Sequence, residues 1–179
     1  VELIESGKEV VVLDNLSNSS KLVLDRIEEI TGKKPIFYEG DIRDTSLLID
    51  ILKNEDIESV IHLAGLKSVS ESVKDPITYY DNNVNGSLSL VKAMDEVGVK
   101  NLIFSSSATV YGDPESMPID ESTPKGVCTN PYGWSKSMVE EILMDLSKAD
   151  DSYKVVILRY FNPVGAHKSG LIGEVPTGI

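Results

Sequence analysis

The stretch Lys8-Glu9-Val10-Val11-Val12-Leu13-Asp14-Asn15 (KEVVVLDN) decides the fold. Its β-branched apolar run, Glu9 to Leu13, reads as a buried strand of a parallel sheet. Before it, Val1 to Ser6 has the pattern of a helix end, with Gly7 as the stop. After it, Asn15 to Ser20 is a polar loop, and Val23 to Ile30 carries helical spacing that stops at Gly32. The alternation continues along the chain. Pro35 to Tyr38, Ser59 to Leu63, Asn101 to Ser105 and Tyr153 to Tyr160 read as strands. Among them lie an amphipathic helix around Leu47, Leu48, Ile51 and Leu52, and a helical region from Pro76 to Gly98. Gly112 to Thr129 is a long irregular loop. Pro131 then opens a helix with the apolar stripe Met138, Val139, Ile142, Leu143 and Leu146. Strands alternating with helices predict an α/β fold, a doubly wound parallel sheet with right-handed crossovers.

The 179 residues fit one domain and, at 41% hydrophobic, suffice for a core. A formal net charge of -12 argues against nucleic acid or an anionic membrane surface as partner. It does not argue against a small anionic ligand, which local amides and helix N-termini can hold. One cysteine, Cys128, excludes an internal disulfide and fits a reducing compartment; it reads as a plain surface thiol. No apolar run reaches membrane-spanning length and no secretory signal opens the chain, so a cytoplasmic protein is expected. The start at Val1 and the Gly/Pro-rich close at Ile179 lead us to expect a chain cut at both ends.

In parallel sheets ligands sit beyond the carboxyl ends of the strands. Asp14, Asp41, Ala64-Gly65, Ser107 and Asn162 all follow such ends in the predicted order. An acid at Asp14 suits the ribose hydroxyls of a dinucleotide and disfavours a 2′-phosphate, which favours NAD over NADP; a turn-capping Asp is the plain alternative. Asp41 suits an adenine amino group or an ordinary turn equally well. Gly65 lets backbone approach a ligand or simply makes a turn. Asn82, Asn83 and Asn85 are poor helix residues, so at least one is expected to have a polar role, structural or cofactor-directed. His62 reads as a strand residue, and neither it nor His167 has partners at metal-binding spacing.

The run Asn130-Pro131-Tyr132-Gly133-Trp134-Ser135-Lys136 follows Ser105-Ser106-Ser107. A Tyr and a Lys four apart on a helix share one face. An ammonium beside a phenol favours the phenolate, which can take a proton from a sugar hydroxyl with a serine hydrogen-bonding the same oxygen. That equipment moves a hydride between an alcohol carbon and a nicotinamide. Tyr-x-x-x-Lys alone is common by chance; the serine run upstream raises the catalytic reading above a packed Tyr with a solvated Lys.

These stretches together resemble the extended short-chain dehydrogenase/reductase family, and within it the UDP-hexose 4-epimerases. The resemblance is carried by Asp14 to Ser19, Glu39 to Arg43, Ile61 to Lys67, Tyr79 to Gly86, SSSATVYG at Ser105 to Gly112, Pro131 to Lys136, and LRYFNPVGAH at Leu158 to His167. It implies an NAD-binding Rossmann domain over residues 1–179, partial because the Gly-rich first strand and the carboxyl-terminal substrate domain are absent. It implies Tyr132 as base and acid, Lys136 as its partner on the nicotinamide ribose, and Ser107 as the proton-transfer serine. Asp14, Asn15, Asn18, Ser19, Asp41, Ile42, Leu63, Ala64, Gly65, Lys67, Asn82 and Tyr160 resemble cofactor positions. Ser107, Tyr132 and Asn162 resemble UDP-sugar contacts. The implied reaction inverts C4 of UDP-glucose or UDP-galactose through a 4-keto sugar, with NAD retained. Related dehydratases need an Asp-Glu pair where this chain has Ala108-Thr109, which disfavours them. A sibling epimerase of uronate or N-acetyl sugars, a non-catalytic dinucleotide-binding module and an inactive fragment stay open. By analogy, two copies would pair through the helices Tyr79 to Gly98 and Pro131 to Lys148. Trp134 and Lys168 depart slightly from the family pattern.

Overall fold

β1 (Val11–Asp14) and β2 (Ile36–Glu39) pair in parallel, with Val11 opposite Ile36 and Asp14 opposite Glu39. Around them come α1 (Glu2–Glu5) and α2 (Leu22–Thr31). The computed structural model describes residues 1–173. These two strands and helices, with the segment from Asn162 onward, form one compact unit; Ile42–Phe161 form another. In the first unit α2 ends where expected, at Gly32, whose φ of 71° supplies the left-handed turn that closes the helix. The Arg26 guanidinium donates to the Leu171 carbonyl at 2.7 Å, which ties the later segment to α2.

The larger unit runs α3 (Thr45–Asn54), β3 (Ser59–His62), α4 (Val69–Lys74), α5 (Pro76–Tyr80), α6 (Gly86–Val97), β4 (Asn101–Ser107), α7 (Pro131–Ala149) and β5 (Lys154–Tyr160). Its three strands are parallel in the order β3-β4-β5. This arrangement is the α/β class with parallel sheets that the alternation predicts. The Asp44 carboxylate caps α3 by accepting from the Leu47 N–H at 3.0 Å. Leu48, Ile51 and Leu52 of α3 are buried, as are Leu90, Ala93 and Met94 of α6, and these two helices pack together. Burying each of the larger side chains is worth about 1.5–3 kcal/mol. No helix of the described residues is long and apolar enough to cross a membrane.

Several details differ from the sequence reading. A short helix, α4, precedes Pro76, capped by Ser68, whose hydroxyl accepts from the Glu71 N–H. The region from Pro76 to Gly98 is not one regular helix: a π-helical turn, Asp81–Asn85, separates α5 from α6. Met138 is 43% exposed, because the buried side of α7 runs instead through Ser135, Lys136, Val139, Glu140 and Leu143. Cys128 is buried rather than a surface thiol; it packs under the first turn of α7, beside Gly133, and burial raises its pKa.

Candidate active site

Helix α7 starts where it does because Asn130 caps it and Pro131 occupies its first turn. The Asn130 Oδ1 accepts from the Gly133 N–H at 2.8 Å. This start places Tyr132 and Lys136 one turn apart, with the Lys136 Nζ 6.0 Å from the Tyr132 ring centroid. The same ammonium donates to the Ser105 carbonyl at 2.8 Å and lies 4.9 Å from the Phe104 ring centroid. Lys136 is only 6% exposed, and loss of solvent pulls its pKa down to about 8. A carbonyl and two aromatic rings offset part of that desolvation.

β4 brings up the serine. Ser107 ends the strand opposite Tyr160 of β5 and caps the 3-10 turn Ala108–Tyr111. Its Oγ accepts from the Thr109 N–H at 3.2 Å, which leaves its own O–H available to donate. Thr109 Oγ1 is the one buried side-chain polar atom among the described residues with no hydrogen-bond partner. The Thr109 Cβ abuts Gly133 in the first turn of α7.

β3 and the π-helical turn hold the other flank. The Asn83 Oδ1 accepts from Leu66 N–H at 2.8 Å, and its Nδ2 donates to the Leu66 carbonyl at 2.9 Å and to Ser135 Oγ at 3.0 Å. One buried amide therefore joins the loop after β3 to α7. Ser87 gives its proton to the Asn83 carbonyl at 2.6 Å, so His62 Nε2, 2.8 Å from Ser87 Oγ, is the donor of that pair. Burial, and then the Lys136 charge, hold the His62 pKa down at about 3. His62 is thus neutral at pH 7. Gly65 lies against both groups: a Cβ there would sit 3.4 Å from Asn83 Oδ1 and 3.5 Å from Lys136 Nζ. The glycine backbone therefore lies directly beside the Asn83 amide and the Lys136 ammonium.

The larger unit thus gathers Gly65, Ser107, Tyr132, Lys136 and, through a 3.0 Å bond to Asn83 Oδ1, Asn82. Tyr160 is Ser107's sheet partner and is 43% exposed. Leu63, Ala64 and Lys67 are exposed in the loop after β3, and Ile42 packs against Gly86. In the smaller unit, Asp14 Oδ1 accepts from the Leu16 N–H and from Ser19 Oγ, both at 2.7 Å. Asn15 Oδ1 accepts from Ser17 N–H at 3.1 Å, while Asn18 and Asn162 are exposed. Asp41 follows β2 and is half-buried. Sequence reasoning did not single out Asn83 among the three asparagines, nor Glu140. A buried hub and a neighbouring exposed Asn look alike in composition; only the helical register separates them.

Residues 1–176 match the model of the NAD dependent epimerase/dehydratase family. The chain is 61% identical over 179 residues to a UDP-glucose 4-epimerase of Pasteurella multocida, covering 100% of this chain and 53% of that protein. It is 60% identical to the UDP-glucose 4-epimerase of Haemophilus influenzae, with the same coverage. The chain therefore spans about half the length of these curated relatives. Among solved structures, the UDP-glucose 4-epimerase of Bifidobacterium longum in complex with NAD+ and UDP superposes with a TM-score of 0.96. That likeness has 54% identity and covers 99% of this chain and 53% of the other.

Proposed function

The chain belongs to the NAD dependent epimerase/dehydratase family, and we propose that it forms the cofactor-binding and proton-transfer part of an enzyme that inverts C4 of a UDP-hexose, interconverting UDP-glucose and UDP-galactose. The observation that carries this reading is the Lys136 ammonium, buried between the Tyr132 and Phe104 rings and bonded to the end of β4. A positive charge held there stands one helical turn from the Tyr132 ring, where it would stabilise negative charge that develops as a proton is moved. Tyr132 takes the proton of the sugar 4-hydroxyl and returns one to the same oxygen later in the cycle. Ser107, its own oxygen oriented by the Thr109 N–H, donates to that oxygen and steadies it. NAD, when bound beside these residues, would supply reversible hydride acceptance at C4, so that the overall reaction involves no net oxidation.

The residues present fit a dinucleotide. Gly65 leaves backbone beside Lys136 and Asn83, and the Asp14 carboxylate is oriented at its strand end by Leu16 and Ser19. Asp14, Asn15, Asn18, Ser19 and Asp41 would hold the adenosine side; Ile42, Leu63, Ala64, Gly65, Lys67, Asn82, Lys136 and Tyr160 would line the remainder. Ser107, Tyr132 and Asn162 would meet the UDP-sugar. We assign the Gly-rich phosphate strand and the substrate domain to parts of the protein outside these 179 residues. A homodimer through α6 and α7 fits the exposed Trp134 and Met138, one turn apart on α7. The test is Tyr132→Phe in the full-length protein. Conversion of UDP-galactose should drop by about 10³-fold or more while NAD stays bound. Retained turnover would remove Tyr132 from the role of base.

A further inference from the structure

Among the ionisable groups buried in the described residues that take no part in that chemistry are His62 and Glu140. His62 is a neutral donor within the strand-to-helix network. Glu140 is the centre of an ionic one. It is 0% exposed, and its Oε1 accepts from Ser106 Oγ at 2.5 Å and from Arg159 Nε at 3.0 Å. Its Oε2 accepts from Arg159 Nη2 at 2.8 Å and lies 3.7 Å from Lys125 Nζ. The guanidinium also covers the Tyr111 ring, 4.7 Å from its centroid.

Stability alone is a weak reason for such a pair, because apolar residues of similar volume are often equally stable in its place. Its location gives a better one. Ser106 precedes Ser107 on β4, and Arg159 precedes Tyr160 on β5. Glu140 lies one turn beyond Lys136 and two beyond Tyr132 on α7. Ser106 and Arg159 are opposite one another in the sheet, so one carboxylate grips both strands at a single rung. The two-pronged Arg–carboxylate contact fixes angle as well as distance.

We propose that Glu140 and Arg159 are positioning residues of the epimerisation: they set the rotation and depth of α7 so that Tyr132 and Lys136 meet Ser107 in working geometry. The inference rests on the reaction proposed above. A displacement of about 1 Å at reacting groups can cost about a hundredfold in rate.

The test uses the full-length protein as wild type, Ser106→Ala, and the double variant Glu140→Met/Arg159→Met. Turnover and KM for UDP-galactose, bound NAD and the thermal midpoint are measured for each. The double variant removes both charges of the pair and leaves Lys125 paired with Glu141, so it should fold and keep NAD, yet kcat should fall about 30-fold or more with KM within about threefold. Ser106→Ala removes one arm only and should lower kcat by roughly three- to tenfold at unchanged KM. Wild-type kcat in a folded double variant would overturn the proposal. Should the double variant not fold, unchanged kcat in Ser106→Ala overturns it. A wild-type protein that shows no epimerisation overturns the reaction itself, and this proposal with it; active wild type with unaffected variants overturns this proposal alone.

Discussion

His62 stays neutral because its surroundings are dry and its neighbour, Lys136, is positive. The consequence for stability has a definite sign. The folded-state pKa, about 3, lies below the ordinary 6.5 of the unfolded chain. As pH falls through 6.5 the unfolded chain takes up a proton that the folded one refuses, so stability drops, by up to about 1.4 kcal/mol per pH unit, until pH nears 3. Between pH 7 and 5 the loss from this residue is about 2 kcal/mol. His62→Gln, which keeps a donor toward Ser87, should remove that portion. Urea unfolding at both pH values checks it: an equal pH 7-to-5 difference in the variant and the wild type would show that His62 is not the source. Some of these residue-level features were legible in the sequence. The four-residue spacing of Tyr132 and Lys136 and the serines upstream name a chemistry. Asn83 and Glu140 were not legible, since their importance lies in what buries them. A Glu in the middle of an amphipathic helix reads as a solvated side chain until Ser106 and Arg159 are seen around it.

At the scale of elements, boundaries followed backbone chemistry more closely than side-chain polarity. The sequence reading ends the fourth strand at Ser105. β4 continues to Ser107 because its backbone still pairs with Arg159 and Tyr160, and the Ser106 hydroxyl finds Glu140. Helix α4 escaped notice although Ser68 and Glu71 stand at the spacing of a capping box. Apolar runs and the stop at Gly32 were readable because hydrophobic periodicity and left-handed glycines leave strong local marks. Among the caps, that of α7 has the most direct bearing on chemistry, since Tyr132 lies in the first turn it closes. Losing the Asn130–Gly133 bond should cost about 1 kcal/mol and let that turn fray. Asn130→Ala is therefore expected to lower kcat more than a surface change of equal stability cost, whereas Asn130→Asp, which still accepts from the Gly133 N–H, should restore most of it. If Asn130→Ala lowers stability and leaves kcat alone, the first turn of α7 holds its shape without the cap.

At the scale of the molecule, the question is how much of a UDP-sugar and a dinucleotide this chain can hold. A pyrophosphate is usually cradled by backbone amides of a Gly-rich turn at a helix N-terminus. The 179 residues contain no G-x-G-x-x-G run, and their net charge of -12 gives no general attraction for a diphosphate. They do contain the Tyr132, Lys136 and Ser107 set and the Asp14 loop. The chain also corresponds to about half of relatives that are epimerases. Proton transfer and phosphate binding are therefore expected to reside in different stretches of the full-length protein. Catalysis needs both, because binding energy from the nucleotide is what holds the sugar against the base. The expectation is that the 179-residue chain binds NAD weakly and converts no UDP-galactose, whereas the full-length protein keeps NAD through gel filtration and turns the sugar over. Both proteins can be assayed side by side for UDP-glucose formation, with retained NAD measured after separation. Turnover by the 179-residue chain alone would mean that its own residues cradle the diphosphate, and the search for that cradle would move to the exposed loop from Leu63 to Lys67.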